Sequence, residues 1–427
     1  MSGTGTGGRG AAAGRTRAEA RSRSKENGGA TAGERRPPAR RGGDGSLDGL
    51  LAAKEIVISC GPGGVGKTTT AAAAAAMAAC HHGGKVLVLT IDPARRLADA
   101  LGLQRLGNAE RRIPDEAFGR TRPRGELWAA MLDTKQSWDA LVRRHAPDAR
   151  TRDAILANPL YRNISARFVQ SHDYIAMERL YELHSEGDYD LIVVDTPPTR
   201  NALDFLDAPQ RMADFFSSPL LRWLTVPYRS RMMSLASKPF LQVADRILGT
   251  QFMGDIAEFF ILFQSMYDGF VTRADAVTRL LSDRRTTFMV ISTLEATPVR
   301  EAEYFAAALA ARSLPLGAIV LNKVLPPYFR DRDAAHVAER LRANARSFAD
   351  GLRWADEGSG EPVHETAVRV LTEVADSFLN FGVVARREAE QQAELAASPE
   401  VLATVPFFDA DIVDMEGLLR LGAMMWS

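Results

Sequence analysis

The sequence predicts an α/β chain: a doubly wound, mostly parallel sheet with a helical insertion. Three observations predict it. Seven short runs rich in β-branched residues lack strict alternation and are apolar on both faces, as strands buried on both sides of a parallel sheet are. Helical stretches separate the runs, and strand, helix, strand repeated along a chain places helices on both sides of one sheet. A glycine-rich turn, Gly61 to Thr68, follows the first run and opens an alanine-rich helix.

Residues 1–48 precede these elements. They are Gly, Ala, Ser and Arg without periodicity, with ten basic and five acidic residues. Such a segment buries too little apolar surface to fold and reads as a disordered basic tail. Residues 49–427 read as the folded domain. Its strand runs are EIVIS (55–59), KVLVLT (85–90), LWAAML (127–132), YDLIVVD (189–195), TTFMVIS (286–292), LGAIVLN (316–322) and LATVP (402–406). Between about 208 and 282 there is only one strand-free helical stretch, rich in Phe, Leu and Met, which reads as the insertion. Ligands of such sheets sit at the carboxyl ends of the strands.

Composition narrows the function. The chain has 427 residues, 46% of them apolar, so it can bury a sizeable core. Its formal net charge is zero, which argues against a nucleic-acid binder. The two cysteines, Cys60 and Cys80, form neither a C-x-x-C pair nor a cluster with histidine. That weighs against a disulfide framework or cysteine zinc site and fits a reducing cytoplasm. No apolar run reaches the ~18 residues of a membrane span, and no secretory h-region is present.

The chemistry is written in the turn. Gly61 to Thr68 spells G-P-G-G-V-G-K-T, a match to G-x-x-x-x-G-K-T/S in its proper strand–loop–helix context. Gly61, Gly63, Gly64, Val65 and Gly66 let backbone N–H groups approach phosphates, and the helix N-terminus adds the positive end of its dipole. Lys67 is placed to reach the β and γ phosphates, Thr68 to ligate Mg²⁺ beside Thr69. Asp195 ends the apolar run LIVVD, where a carboxylate can hold Mg²⁺ directly or through water, or else cap a turn. Asp92 follows the second run and is a candidate for orienting the attacking water. Asn322 closes a late run as N-K-V-L. A guanine site would want N-K-x-D, so the pattern favours adenine, with the Asn322 amide on its edge; a turn asparagine is the plain alternative.

Three blocks, GPGGVGKTTTAA, TIDPARRLADALG and VVDTPPTRNALDFL, together resemble the ArsA-type ATPases. That family includes arsenite-pump ATPases and the ATPases that target tail-anchored membrane proteins. The resemblance spans about residues 54–427 and implies a P-loop NTPase fold, with ATP and Mg²⁺ bound in a nucleotide-sandwich dimer that opens and closes. It assigns Gly63 to Thr69 to phosphate and Mg²⁺, Asp92 to the water and Asp195 to the metal side. Pro198 and Thr199 fall in the second switch, and Asn322, Pro406 and Phe407 in the adenine pocket.

Four departures qualify it. Pro62 stands where the family carries a signature lysine that reaches across the dimer, and proline has neither charge nor N–H. Arg95 replaces the histidine of D-P-A-H, and Arg200-Asn201 replaces Gly-His. The arsenite-binding cysteines and the C-x-x-C zinc motif have no counterpart. Pro62 leaves three alternatives: a slowly hydrolysing homodimer, a heterodimer with a lysine-bearing related ATPase, or a role for Arg95 or Arg200 at phosphate.

Two apolar stretches raise partner questions. DIAEFFILFQSMYDGFV, from Asp255, places Ile256, Phe259, Phe260, Phe263, Tyr267 and Phe270 on one helical face. That face is either core or a site for an apolar client. The C-terminal DIVDMEGLLRLGAMMWS carries one arginine. A MinD-like membrane-surface ATPase would want a basic amphipathic helix there, so packing against the sheet is the expectation.

Overall fold

One mixed sheet of eight strands runs through the protein in the order β3-β4-β2-β5-β1-β6-β7-β8. Its strands are β1 (Ile56–Cys60), β2 (Lys85–Thr90), β3 (Arg111–Arg112), β4 (Glu126–Met131), β5 (Leu191–Asp195), β6 (Thr286–Ser292), β7 (Leu316–Val324) and β8 (Val401–Pro406). The computed structural model describes residues 45–91, 96–103, 106–162, 169–197, 207–208, 210–211, 214, 258–351, 361–395 and 401–426. Every strand pairing is parallel except that of β3 with β4. The seven expected runs all form strands. The two-residue β3 was not expected: Arg-Arg carries no apolar pattern, and an exposed basic pair suits a sheet edge.

The helices are α1 (Leu47–Ala52), α2 (Lys67–His81), α3 (Arg96–Ala100), α4 (Thr134–His145), α5 (Ala149–Ala157), α6 (Val169–Glu186), α7 (Tyr267–Leu281), α8 (Ala296–Ala311), α9 (Arg332–Ala343), α10 (Ala345–Gly351), α11 (Glu361–Leu395) and α12 (Met415–Trp426). Strand alternation sends successive side chains to opposite faces, and two cores result. Ile56, Ile58, Leu89, Val194 and Phe288 join Trp138, Tyr174 and Phe270 on one face. Val57, Val88, Val193 and Met289 meet the alanines of α2 on the other, beneath Leu418 and Leu421 of α12. The alanines let α12 lie very close: a Cβ on Gly422 would come 2.2 Å from Met77 Cγ. The C-terminal helix packs mainly on α2, and also on the edge strand β8, where packing against the sheet was expected.

The tail boundary needs correction. Ser46 caps α1 by accepting from Gly49 N–H, and Leu47, Leu50 and Leu51 are buried. The fold therefore begins by residue 45, a few residues before the expected 49. A helix of six residues with a glycine inside it is too short to show periodicity. Residues 1–44 lie outside the described residues.

In the expected insertion, residues 258–264 and α7 are helical. Phe259, Phe263 and Phe270 are buried against Trp138 and Tyr174, with the Phe259 and Phe263 rings 4.6 Å apart. The described part of the aromatic stripe is therefore core. Ile256, Met212, Met232, Met233 and Met253 lie outside the described residues. No helix among the described residues is long and apolar enough to cross a membrane.

The last residue of α4, His145, is pH-sensitive. Burial, and then the charges of Arg273 and Arg144, push His145 down to about 4 from 6.5. The unfolded chain therefore binds the extra proton first as pH falls, so this contribution is intact above about 6.5 and lost towards 4. Thermal midpoints measured from pH 7 to 4.5 should fall less steeply for His145→Gln than for the wild type. Equal slopes would contradict this assignment.

Candidate functional site: a phosphate loop at the switch point of the sheet

The chain passes from β1 to β2 on one side and returns past β1 to β6 on the other. The crevice at the carboxyl end of β1 is thus the place where such sheets bind ligands. Residues Gly61–Gly66 occupy it and lead into α2. Three of the glycines have positive φ, for different reasons. At Gly61 (φ 140°) a Cβ would come 2.1 Å from the Ile291 carbonyl oxygen of β6. At Gly66 (φ 93°) it would come 2.4 Å from Asn322 Nδ2. Gly64 (φ 81°) has nothing within 4 Å, and with Gly63 it forms the exposed lip of the loop. The first two are required by the protein's own packing; the open side at Gly64 lets a ligand reach the backbone.

α2 begins at Lys67, and its N-cap residue, Gly66, supplies no side-chain hydrogen bond. The first-turn N–H groups therefore point into the crevice as an anion site. Lys67 is 6% exposed, and its Nζ donates to the Pro62 carbonyl at 2.7 Å. Pro62 thus cradles the loop lysine through its backbone. Thr68 and Thr69 are half-buried in the same turn. This donor set fits a polyphosphate: N–H groups, one ammonium and two hydroxyls, with room at the lip.

Behind the loop lies a lateral row of polar side chains. Ser59, Asp195 and Thr90 stand side by side in register across β1, β5 and β2. By alternation with Val57, Val193 and Val88 they face α2. Asp195 is wholly buried and accepts from Thr90 Oγ1 at 2.9 Å. Thr196 N–H and Oγ1 both donate to the Ser59 carbonyl. Ser59 Oγ and Thr70 Oγ1 are buried without a hydrogen-bond partner among the described residues, so the pocket is polar beyond its own needs. No group of three His, Cys, Asp or Glu side chains suited to a metal occurs among the described residues. A Mg²⁺ here would be shared between Thr68, Asp195, water and phosphate, the coordination that ion prefers. Cys60 is no nucleophile: burial drives its thiol far up, against the pull of Lys67.

The carboxyl end of β7 braces the loop. Asn322 Nδ2 donates to the Val65 carbonyl at 2.8 Å, and its Oδ1 accepts from Lys323 N–H at 2.9 Å. Asn322 is only 6% exposed, and these two bonds leave one amide hydrogen and one lone pair of its side chain unused. Lys323 has φ 59°, and its exposed Nζ reaches the Gly64 carbonyl at 3.4 Å. Sequence reasoning passed over Lys323; its only signal was the N-K pair, set aside for want of an aspartate two residues on. Next to it, Pro406 ends β8 in register with Val324. Phe407 N–H donates to the Val324 carbonyl, leaving the ring 58% exposed.

Residues 54–350, well over half of the chain, match the family described as Anion-transporting ATPase. The chain belongs to this family. The match ends at 350, short of the span to 427 that the motifs suggested, so α11, β8 and α12 lie beyond it. ATPase BagA of Mycobacterium tuberculosis is 31% identical over 150 residues, covering 35% of this chain and 41% of that protein. A Mycobacterium bovis protein provisionally named ATPase Mb3704 aligns to the same extent. The aligned stretch thus spans under half the length of these curated relatives. As a member of the family, the chain brings its phosphate loop, Asn322 and Lys323 into direct contact, with Asp195 on the strand beside β1. Asp92, Arg95 and Pro198 to Asn201 lie outside the described residues.

Proposed function

We propose that the chain is a Mg²⁺-dependent ATPase that couples ATP binding and hydrolysis to the opening and closing of a dimer handling an anion, an apolar client or a partner protein. The observation that carries this reading is the loop itself: Lys67 buried beneath an exposed Gly63-Gly64 lip, at an uncapped helix N-terminus. Lys67 and the first-turn N–H groups of α2 bind and neutralise the β and γ phosphates. Thr68 and Asp195 hold Mg²⁺, which supplies Lewis-acid neutralisation of the charge that develops on phosphate. Asp92 orients the water. Asn322 holds the adenine edge, and Pro406 with the open Phe407 ring forms the side of the base pocket.

A second reading is favoured by Pro62. This position supplies no charge to a partner's phosphates, which supports a weakly hydrolysing, ATP-binding subunit paired with a lysine-bearing relative. Folding of the α12 apolar face onto α2 lends no support to a MinD-like membrane-surface role.

Binding tests the base assignment. Calorimetric titration should show ATP bound more tightly than GTP. Asn322→Ala should weaken ATP by about tenfold or more, the value of one or two hydrogen bonds left unmade. Equal affinity for both nucleotides, unchanged in Asn322→Ala, would contradict an adenine role for this residue.

A further inference from the structure

Lys323 holds a backbone conformation that its residue type disfavours. With φ 59° it is, beside Ser313, one of two non-glycine residues of positive φ among the described residues. The setting is a bulge. Leu321 pairs with Thr404 and Val324 with Pro406, so Asn322 and Lys323 of β7 together oppose the single residue Val405 of β8. A regular strand would send Asn322 and Lys323 to opposite faces of the sheet. The bulge brings both to the phosphate loop, Asn322 Nδ2 to the Val65 carbonyl and Lys323 Nζ to the adjacent Gly64 carbonyl. The segment after Lys323 is fixed from two sides. Phe407 N–H donates to the Val324 carbonyl, and Leu325 N–H donates to Glu388 Oε2 of α11 at 2.9 Å.

The contact with Gly64 does not explain the strain. At 3.4 Å, between an exposed lysine and an exposed lip, it is too long and too wet to add much stability. Residues held by their surroundings in sparsely populated backbone regions cluster where ligands are clamped. Lys323 has such a place. Its side chain starts beside Asn322, at the base end of the crevice, and ends at the lip of the phosphate loop. The sugar of a nucleotide joins those same two parts.

We propose that Lys323 binds the nucleoside half of the nucleotide. Its alkyl stem covers a face of the base. Its ammonium, tied to Gly64 through one hydrogen, donates another to the sugar oxygens. Lysine stems bury readily against apolar surface while their charged heads stay in water. The inference rests on the nucleotide reading of the crevice and adds to it a contact with the ring face, which every base offers alike. Choice between bases remains with the edge contact of Asn322.

Titration calorimetry of the full chain with ATP, GTP and inorganic tripolyphosphate tests the inference. Lys323→Met keeps most of the stem and removes the charge; Lys323→Ala removes both. ATP should bind Lys323→Ala about tenfold more weakly than Lys323→Met, the worth of methylenes lost from the ring face. GTP should lose the same factor, and tripolyphosphate should bind the two variants equally. Lys323→Gly should bind ATP as weakly as Lys323→Ala, yet keep a thermal midpoint at or above that of the wild type, because glycine adopts φ 59° without strain. Equal ATP affinity in Lys323→Ala and Lys323→Met would overturn the inference. So would tripolyphosphate weakened in Lys323→Ala as much as ATP, which would make Lys323 a phosphate charge. A lower midpoint with unchanged ATP affinity in Lys323→Gly would overturn it too, since the role would then be structural. A wild type that binds none of the three ligands would overturn the nucleotide reading itself and this inference with it; ATP bound alike by the wild type and every variant would overturn the inference alone.

Discussion

Lys67→Ala should reduce ATP turnover by about 10³-fold or more, the scale on which one charge-stabilising group acts at a transition state. The fold should survive. Lys67 opens α2, where alanine is an equally good helix former, and its Nζ donates to the Pro62 carbonyl. That carbonyl sits on the loop and can turn to water. What is lost is the single ammonium buried under the lip, where low dielectric makes it worth more than a surface lysine. Lys67→Arg should fare little better. The slot leaves 6% of the residue exposed, and a planar guanidinium does not fit where a slim ammonium does. Thermal unfolding beside turnover separates the two effects: an unchanged midpoint with abolished turnover is the expected pair of results.

Gly61→Ala should damage the fold as well as the site. A methyl group there would lie 2.1 Å from the Ile291 carbonyl oxygen and 3.1 Å from its carbon. Both are backbone atoms of β6, and β6 is hydrogen-bonded along its length to β1. Neither can swing aside as a side chain would, and φ 140° is itself strained for alanine. We expect a loss of about 2–4 kcal/mol, the sum of overpacking and backbone strain, together with loss of ATP binding. Gly64→Ala is the internal comparison. It shares a positive φ but meets nothing within 4 Å, so it should cost only about 1–2 kcal/mol. Chemical denaturation of the two variants checks the ranking; a Gly61→Ala protein as stable as Gly64→Ala would contradict it.

The sheet was legible because its strands are buried on both faces: Ile56 to Cys60 and Leu191 to Asp195 are buried at every position. Nothing in Arg111-Arg112 announces a strand, since an exposed edge has no core to pattern it. The loop was legible because glycine, lysine and threonine at fixed spacing have few other uses. The brace was not, because the contact of Asn322 with Val65 joins residues far apart in sequence, and a strand-end asparagine looks the same with or without it. Apolar helices were hardest to place. The spacing of Phe259, Phe263 and Phe270 suited a core or a client surface alike, and they are core, while the exposed stripe of Val370, Val374, Phe381 and Val384 on α11 drew no notice. Both stripes have helical spacing; only the position of the sheet decides which is covered.

The most direct measurement is Mg²⁺-dependent ATP hydrolysis by the purified full chain, with Lys67→Ala prepared in parallel. The account predicts turnover in the wild type that disappears on chelation of Mg²⁺ and is absent from Lys67→Ala. Turnover equal in the two proteins, or a wild type that neither binds nor hydrolyses ATP, would contradict it.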